Sequence, residues 1–328
     1  MASKGEAIRE QLLELLMKNT DRYTSGEDVS RMFSISRAAV SKHVGVLRRQ
    51  GHEIEAVTRR GYRLLRKAEM LDAETVRSGL TTTIFGQRGF YYLPSVGSTN
   101  IEAMKLAFAD APEGTVVVAD EQTGGRGRQG RSWRSPAGCG LYVSIILRPD
   151  IAPNEAPIIT LLTNVVAAEA VADVTGVTPV CKWPNDVLIN GCKVSGNLTE
   201  SVLTGDSVGH VIAGVGINVS PLPVELTAAL RTTPCSLEEV TGRKISRAVL
   251  LRAYLARYEH WYVRVREEGL VPLIARWKEL TDVIGKELTV TLRGTVYTGI
   301  VEDVSADGML VLRTKDGEEH RLFSGDIL

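Results

Sequence analysis

Apolar residues recur with a helical period at the start of the chain. Over 7–18, Ile8, Leu12, Leu13, Leu15 and Leu16 share one broad face, with Arg9, Glu10 and Glu14 opposite. Thr24-Ser25-Gly26-Glu27 has the form of a capping box and predicts a short helix running to Phe33. A tight turn at Ser34-Ile35 leads to Ser36, which can cap a further helix with Val40, Val44 and Leu47 inward and Arg37, Ala38, Ser41 and Lys42 outward. Helix, short turn and helix with an exposed polar face form the helix-turn-helix pattern. The period then changes to two. Ile54-Glu55-Ala56-Val57 and Tyr62-Arg63-Leu64-Leu65 alternate about Thr58-Arg59-Arg60-Gly61, which predicts a two-stranded wing with Arg59 and Arg60 at its tip. The other reading of this region is a small helical packing domain with solvated charges.

From Phe85 onward strands and helices mix, the pattern of an α+β protein. Strands are predicted at 90–93, 115–120, 140–147 and 211–219, a helix at 101–109 and a long apolar helix at 156–174. Within 180–189 the strand pattern is broken by Lys182, Pro184, Asn185 and Asp186, which predicts a bulge or bend. A hairpin carries 193–200, helices follow over 236–281, and short alternating strands over 286–328 fit a small barrel. The expected organisation is a winged helix-turn-helix domain over 1–66, a linker over 67–84, a mixed-sheet domain over 85–281 and an SH3-like β-barrel over 282–328.

The 328 residues suffice for two or three domains, and a formal net charge of zero hides an asymmetry. Residues 1–67 hold fourteen Lys/Arg against eight Asp/Glu, a surplus of six, which suggests a module that faces nucleic acid. Arg37, Ala38, Ser41 and Lys42 are placed for the major groove, and Arg59 and Arg60 for phosphate or the minor groove. Cys139, Cys181, Cys192 and Cys235 match neither a zinc site nor a dense disulfide framework and fit a reducing cytoplasm. With no uninterrupted apolar run of spanning length, neither secretion nor membrane insertion is expected.

The densest chemistry lies in Gly124-Gly125-Arg126-Gly127-Arg128-Gln129-Gly130-Arg131-Ser132-Trp133. Glycines cost the most backbone entropy on ordering, and clustered arginines repel unless an anion sits among them. The run therefore reads as a loop that a phosphate or carboxylate orders. Disordered RNA-binding tails have similar composition, but this run is anchored at both ends by predicted strands. Gly97-Ser98-Thr99-Asn100 reads either as a plain helix cap or as a turn presenting hydroxyls and an amide to a small polar ligand. Lys193 alone reads as a solvated edge charge. The glycines of Val211-Ile212-Ala213-Gly214-Val215-Gly216-Ile217-Asn218-Val219 could let a ligand or neighbouring backbone approach closely.

Taken in order, these pieces resemble the bifunctional biotin protein ligase and biotin-operon repressor family. The resemblance rests on Ile35-Ser36-Arg37-Ala38-Ala39-Val40-Ser41-Lys42-His43, Ser98-Thr99-Asn100, Gly125 to Trp133, Lys182-Trp183-Pro184-Asn185-Asp186, Lys193 with Gly196, and Gly214-Val215-Gly216-Ile217-Asn218. It implies a central domain of the class II aminoacyl-tRNA synthetase/biotin ligase type. It implies a reaction in which the biotin carboxylate attacks the α-phosphate of ATP and an acceptor lysine of a biotin carboxyl carrier protein then attacks the adenylate. By resemblance, Arg126, Arg128 and Lys193 are catalytic. Biotin would be bound by these three with Ser98, Thr99, Asn100, Gln122, Gly125 and Gly196. ATP or the adenylate would be bound by Arg128, Arg131, Trp133, Asn185, Asp186, Lys193 and Asn218, with Asp186 toward Mg²⁺. Operator DNA and a homodimer in the adenylate-bound state are further implied partners. Four positions depart from the family pattern: Gly97 for Asp, Gly124 for Ala, Ser195 for Ala and Asn197 for an apolar residue. Asn197 should cost stability unless its side chain is bonded.

Overall fold

A computed structural model of the chain describes residues 4–67, 69–223, 226 and 235–327. Residues 1–3, Ala68 and Leu328, which belong to the stretches read as winged helix, linker and barrel, lie outside the described residues. The chain divides into two compact units, Met1–Met70 and Leu71–Leu328.

The first unit contains α1 (Lys4–Met17), α2 (Gly26–Phe33), α3 (Arg37–Arg49) and an antiparallel hairpin of β1 (Glu53–Val57) and β2 (Gly61–Arg66). Its own core gathers the positions that the periodicity selects, among them Leu12, Leu16, Val40, Val44, Leu47 and Leu64. Ser36 caps α3, its Oγ accepting from Ala39 N at 3.1 Å. The cap of α2 differs from expectation. Ser25, not Thr24, accepts from Glu27 N, because the Thr24 backbone pairs with Tyr62 of β2 at 2.7 and 2.9 Å and is drawn out of the capping position.

The second unit is built on a seven-stranded sheet. Its strands are β3 (Phe90–Leu93), β4 (Val116–Ala119), β5 (Gly140–Leu147), β6 (Val180–Lys182), β7 (Asp186–Ile189), β8 (Cys192–Thr204) and β9 (Ser207–Asn218), in the order β3-β4-β5-β9-β8-β7-β6. Only the β3–β4 pair is parallel. α4 is Ala73–Arg77, α5 is Thr99–Phe108 and α6 is Pro157–Thr175. α6 and the helix Arg247–Glu268 bury the main core, whereas α5 packs through Ala103 and Ala107 on Val117, Ile146 and Ile212 of the opposite face. One helical stretch, Pro153–Thr175, is long and apolar enough to cross a membrane by composition, but 78% of its most apolar window is buried inside the protein.

The structure differs from expectation at two places. The region 180–189 is not a bent strand but a reversal: Trp183-Pro184 is cis, and β6 and β7 pair antiparallel with Lys182 opposite Asp186. Within the expected linker 67–84, residues from Leu71 onward are folded, with Leu71 and Val76 fully buried in the main core. The C-terminal strands form the expected antiparallel β domain. β10 (Glu287–Leu292), β11 (Thr295–Val304), β12 (Leu310–Thr314), β13 (Glu319–Leu322) and β14 (Asp326–Ile327) form an antiparallel sheet in the order β13-β12-β11-β10-β14. Their buried Val290, Val301, Leu310 and Leu312 join the core beneath α6.

The bend at 82–85 is held by one carboxylate. Glu259 accepts from the backbone N–H of Thr83, Ile84 and Phe85 at 2.7, 2.8 and 3.0 Å, and from Thr83 Oγ1 at 2.9 Å. Burial alone would raise this carboxyl, but the four donors outweigh it and hold it below the ordinary value of 4.5. The stabilisation is then fully present above that value and lost as pH falls through the lowered one. Glu259→Gln is expected to cost about 1–2 kcal/mol at neutral pH. In denaturant melts the gap to the parent should narrow as pH falls below 4.5.

Candidate functional site

Along β9, Ile212, Gly214, Gly216 and Asn218 point to one face. Ile212 packs beneath α5, and beyond that helix's N-terminus the same face continues as the floor of a cleft of about 810 Å³. The two glycines are required by what lies on them. A Cβ at Gly214 would stand 2.0 Å from Asn100 Oδ1, and one at Gly216 would stand 2.3 Å from Trp133 Nε1. Sequence reasoning assigned this close approach to a ligand or a backbone; the groups that use it are two cleft side chains.

The turn before α5 is more than a cap, since Ser98 caps it without a side-chain bond. Thr99 N and Oγ1 donate to Gln122 Oε1 at 2.9 and 3.1 Å, and Gln122 Nε2 donates to Ser135 Oγ at 2.9 Å. Ser144 Oγ lies 2.6 Å from Asn100 Oδ1, and Asn100 Nδ2 donates to Glu200 Oε2 at 2.7 Å. One wall of the cleft is therefore a preset hydrogen-bond array on buried Ser98, Thr99 and Asn100.

The Gly/Arg run folds as a narrow hairpin. Gly127 N bonds Arg131 O at 2.7 Å, Trp133 N bonds Gly125 O at 2.9 Å, and Gln129 and Gly130 turn the chain with φ of 55° and 72°. The backbone thus aims Arg126, Arg128, Arg131 and Trp133 into the cleft, joined there by Asn185, Asp186, Lys193, Gly196 and Asn218. Gly125 does not line it. It is buried behind the loop, where a Cβ would meet Trp133 O at 2.5 Å.

Charge in the cleft is arranged in pairs. Arg126 bonds Glu200 at 2.9 and 3.0 Å, Arg131 bonds Asp326, and Lys193 Nζ lies 2.6 Å from Asp186 Oδ1. That last contact is close but not aligned as a hydrogen bond, so the buried Oδ1 has no donor directed at it. Arg128 differs, because it donates to neutral acceptors: Asn185 Oδ1 at 3.1 Å, Gly325 O at 3.3 Å and Ser324 Oγ at 2.5 Å. Burial pulls its pKa below the ordinary arginine value, against the pull of Asp326 and Asp186. Glu200, Ser324 and Asp326 were not foreseen; none sits in a local pattern that marks it. Asn218 Nδ2 donates to Cys235 O at 3.2 Å, tying β9 to the segment before the helix Leu237–Thr241. Burial, then the neighbouring Cys192, pushes the Cys235 thiol up to about 12, and all four cysteines are free.

Of the four departures, Ser195 and Asn197 are buried on the face of β8 opposite the cleft floor. Asn197 Nδ2 reaches Thr160 O at 3.4 Å, but Asn197 Oδ1 and Ser195 Oγ have no hydrogen-bond partner among the described residues. Gly97 and Gly124 meet through the backbone, Gly124 N bonding Gly97 O at 2.8 Å.

In the first unit, Arg37, Ala38, Ser41 and Lys42 form the exposed face of α3, and Arg59 and Arg60 are exposed at the turn of the hairpin. Arg60 lies 4.2 Å from the Tyr23 ring centroid and Arg63 4.9 Å from it, while Tyr23 Oη donates to Glu55 at 2.7 Å. Burial, with Arg9 and Lys42 nearby, lowers the pKa of His43, so the positive face rests on arginine and lysine.

A basic winged helix in one unit and, in the other, a cleft that sets guanidinium forks against a hydrogen-bonding wall define a DNA-binding protein joined to a ligase that brings a carboxylate and a phosphate together. Models of the biotin/lipoate A/B protein ligase family, an HTH domain and the biotin protein ligase C-terminal domain match residues 92–218, 8–63 and 283–328. The bifunctional ligase/repressor BirA of Bacillus subtilis is 39% identical over 98% of both chains, and that of Escherichia coli is 29% identical over 99% of this chain and 98% of its own. The chain belongs to this bifunctional biotin protein ligase and repressor family. Among solved structures, a biotin protein ligase from Aquifex aeolicus in complex with biotin and ATP superposes with a TM-score of 0.62 at 30% identity. The match covers 74% of this chain and 98% of that one.

Proposed function

We propose that the chain joins biotin to ATP, forming biotinyl-5′-adenylate and pyrophosphate, and passes the biotinyl group to a lysine of a biotin carboxyl carrier protein. The observation that carries this reading is the convergence of Arg126, Arg128 and Lys193 on one cleft beside the Ser98–Asn100 wall. Two anions must meet for the first bond to form, and cationic forks held in a partly buried cleft offset their repulsion. The wall of Ser98, Thr99, Asn100 and Gln122 would hold the polar end of biotin, with Gly196 leaving room beside Trp133. Arg131, Trp133, Asn185 and Asn218 would face the nucleotide. Asp186 would hold Mg²⁺ through its carboxylate, whose Oδ1 also faces Lys193 at 2.6 Å, and the hard cation would take its other ligands from phosphates and water. There Mg²⁺ would neutralise phosphate charge. No side chain is needed as a covalent nucleophile, because biotin and the acceptor lysine supply both attacking groups.

The basic face of α3 and the wing would read operator DNA of biotin genes, as a homodimer when adenylate is bound. Four free cysteines fit a cytoplasmic setting. A second reading, lipoate as the acid, is kept open by a family model that spans both acids. Pyrophosphate release from Mg-ATP decides between them. It is expected with biotin and not with lipoate; release with lipoate alone would reverse the assignment.

A further inference from the structure

Tyr23 lies in the segment between α1 and α2 and is half-buried. The next residue, Thr24, exchanges backbone hydrogen bonds with Tyr62 of β2 at 2.7 and 2.9 Å, which fastens this segment to the wing. The approach is so close that a Cβ at Gly61, where φ is 107°, would stand 2.1 Å from Thr24 O. The fastening sets the Tyr23 ring against two guanidinium groups, Arg60 at 4.2 Å and Arg63 at 4.9 Å from its centroid. The two arginines are not equivalent. Arg63 donates to Glu55 at 2.8 Å, and Tyr23 Oη donates to the same carboxylate at 2.7 Å, so Glu55 is taken. Arg60, exposed at the turn of the hairpin, makes no side-chain hydrogen bond or ion pair among the described residues. A guanidinium stacked through its face keeps the N–H donors in its plane free for another partner. The ring also removes part of the rotamer freedom that a long side chain at a turn would otherwise have to lose on binding.

Resting on the DNA-binding reading above, we propose that Tyr23 is a positioning residue for the wing, its ring presenting the Arg60 guanidinium to a backbone phosphate of DNA. A planar fork matches phosphate oxygens in pairs, and such a contact forms whatever the base sequence. Arg60 makes the contact, and Tyr23 acts through Arg60 alone. Arg63, held on Glu55, braces the other side of the arrangement rather than reaching the nucleic acid.

The test is a double-mutant cycle on the full-length chain, with binding to a mixed-sequence DNA duplex followed by fluorescence anisotropy over a salt series. Arg60→Ala is expected to weaken binding about fivefold and to lower the slope of log affinity against log salt by about one. Tyr23→Leu should weaken binding about threefold in the parent and have no further effect in the Arg60→Ala chain. Tyr23→Phe, which keeps the ring, should bind within about twofold of the parent. Neither Tyr23 nor Arg60 belongs to the core of the first unit, so the fold does not depend on them. No loss from Tyr23→Leu, an equal loss from it with and without Arg60, or an unchanged salt slope in Arg60→Ala would overturn the assignment. A parent chain that shows no salt-dependent binding would instead overturn the DNA-binding reading itself.

Discussion

Arg128→Ala is expected to lower biotin-dependent ligation by about a thousandfold. The size follows from how the cleft distributes its charge. Arg126 and Arg131 reach toward carboxylates of the protein and Lys193 stands against Asp186, so part of each positive potential is already spent. Arg128 donates only to Asn185, Gly325 and Ser324, all uncharged, and its potential is left to a ligand. Three acceptors also fix the plane of the guanidinium, which lets it meet a carboxylate and a phosphate without reorganising. The loss should fall mainly on kcat, because the charge it stabilises develops as the two anions join. Arg128→Lys should recover little, since an ammonium cannot hold the same three acceptors in one plane. Steady-state rates within tenfold of the parent for Arg128→Ala would mean that Arg128 serves the fold of the loop rather than the reaction.

Replacing Arg37 and Lys42 together with alanine is expected to weaken operator binding by about a thousandfold while leaving ligation unchanged. Both side chains are exposed on α3, one turn and more apart, next to Ala38 and Ser41, and neither belongs to the core of that unit. The surplus of six positive charges in residues 1–67 should give the parent a steep salt dependence. The double variant should show a shallower slope if these groups neutralise phosphates, and an unchanged slope with relaxed sequence preference if they read base edges. Electrophoretic retention on operator DNA across a salt series measures both. Retention by a chain lacking residues 1–66 would place DNA binding elsewhere.

Much of this was legible in the sequence, and the rest was hidden for identifiable reasons. The three helices of the first unit follow from a 3.6 period with Val40, Val44 and Leu47 inward, because their core is local. The cap of α2 was misplaced by one residue, since nothing near Thr24 announces its pairing with Tyr62. In the cleft, the loop and the Lys182–Asp186 run were visible because their residue types conflict with any regular element. Glu200, Ser324 and Asp326 were not, because they meet the arginines only through folding: Glu200 lies 74 positions from Arg126, and Asp326 lies 195 from Arg131. Two of those three come from the C-terminal strand region, so the β domain there also shapes the site. The glycines of β9 are sites of close approach, as their pattern predicts, and the side chains that lie on them are Asn100 and Trp133.

One cleft is expected both to activate biotin and to deliver it to a lysine. The full-length chain, incubated with biotin, Mg-ATP and a carboxyl carrier domain, should place label on a single acceptor lysine, read by streptavidin and by intact mass. Label should be absent when ATP is withheld and should form about a thousandfold more slowly with Arg128→Ala. No label on the carrier, or label at the parent rate from the Arg128→Ala chain, would contradict it.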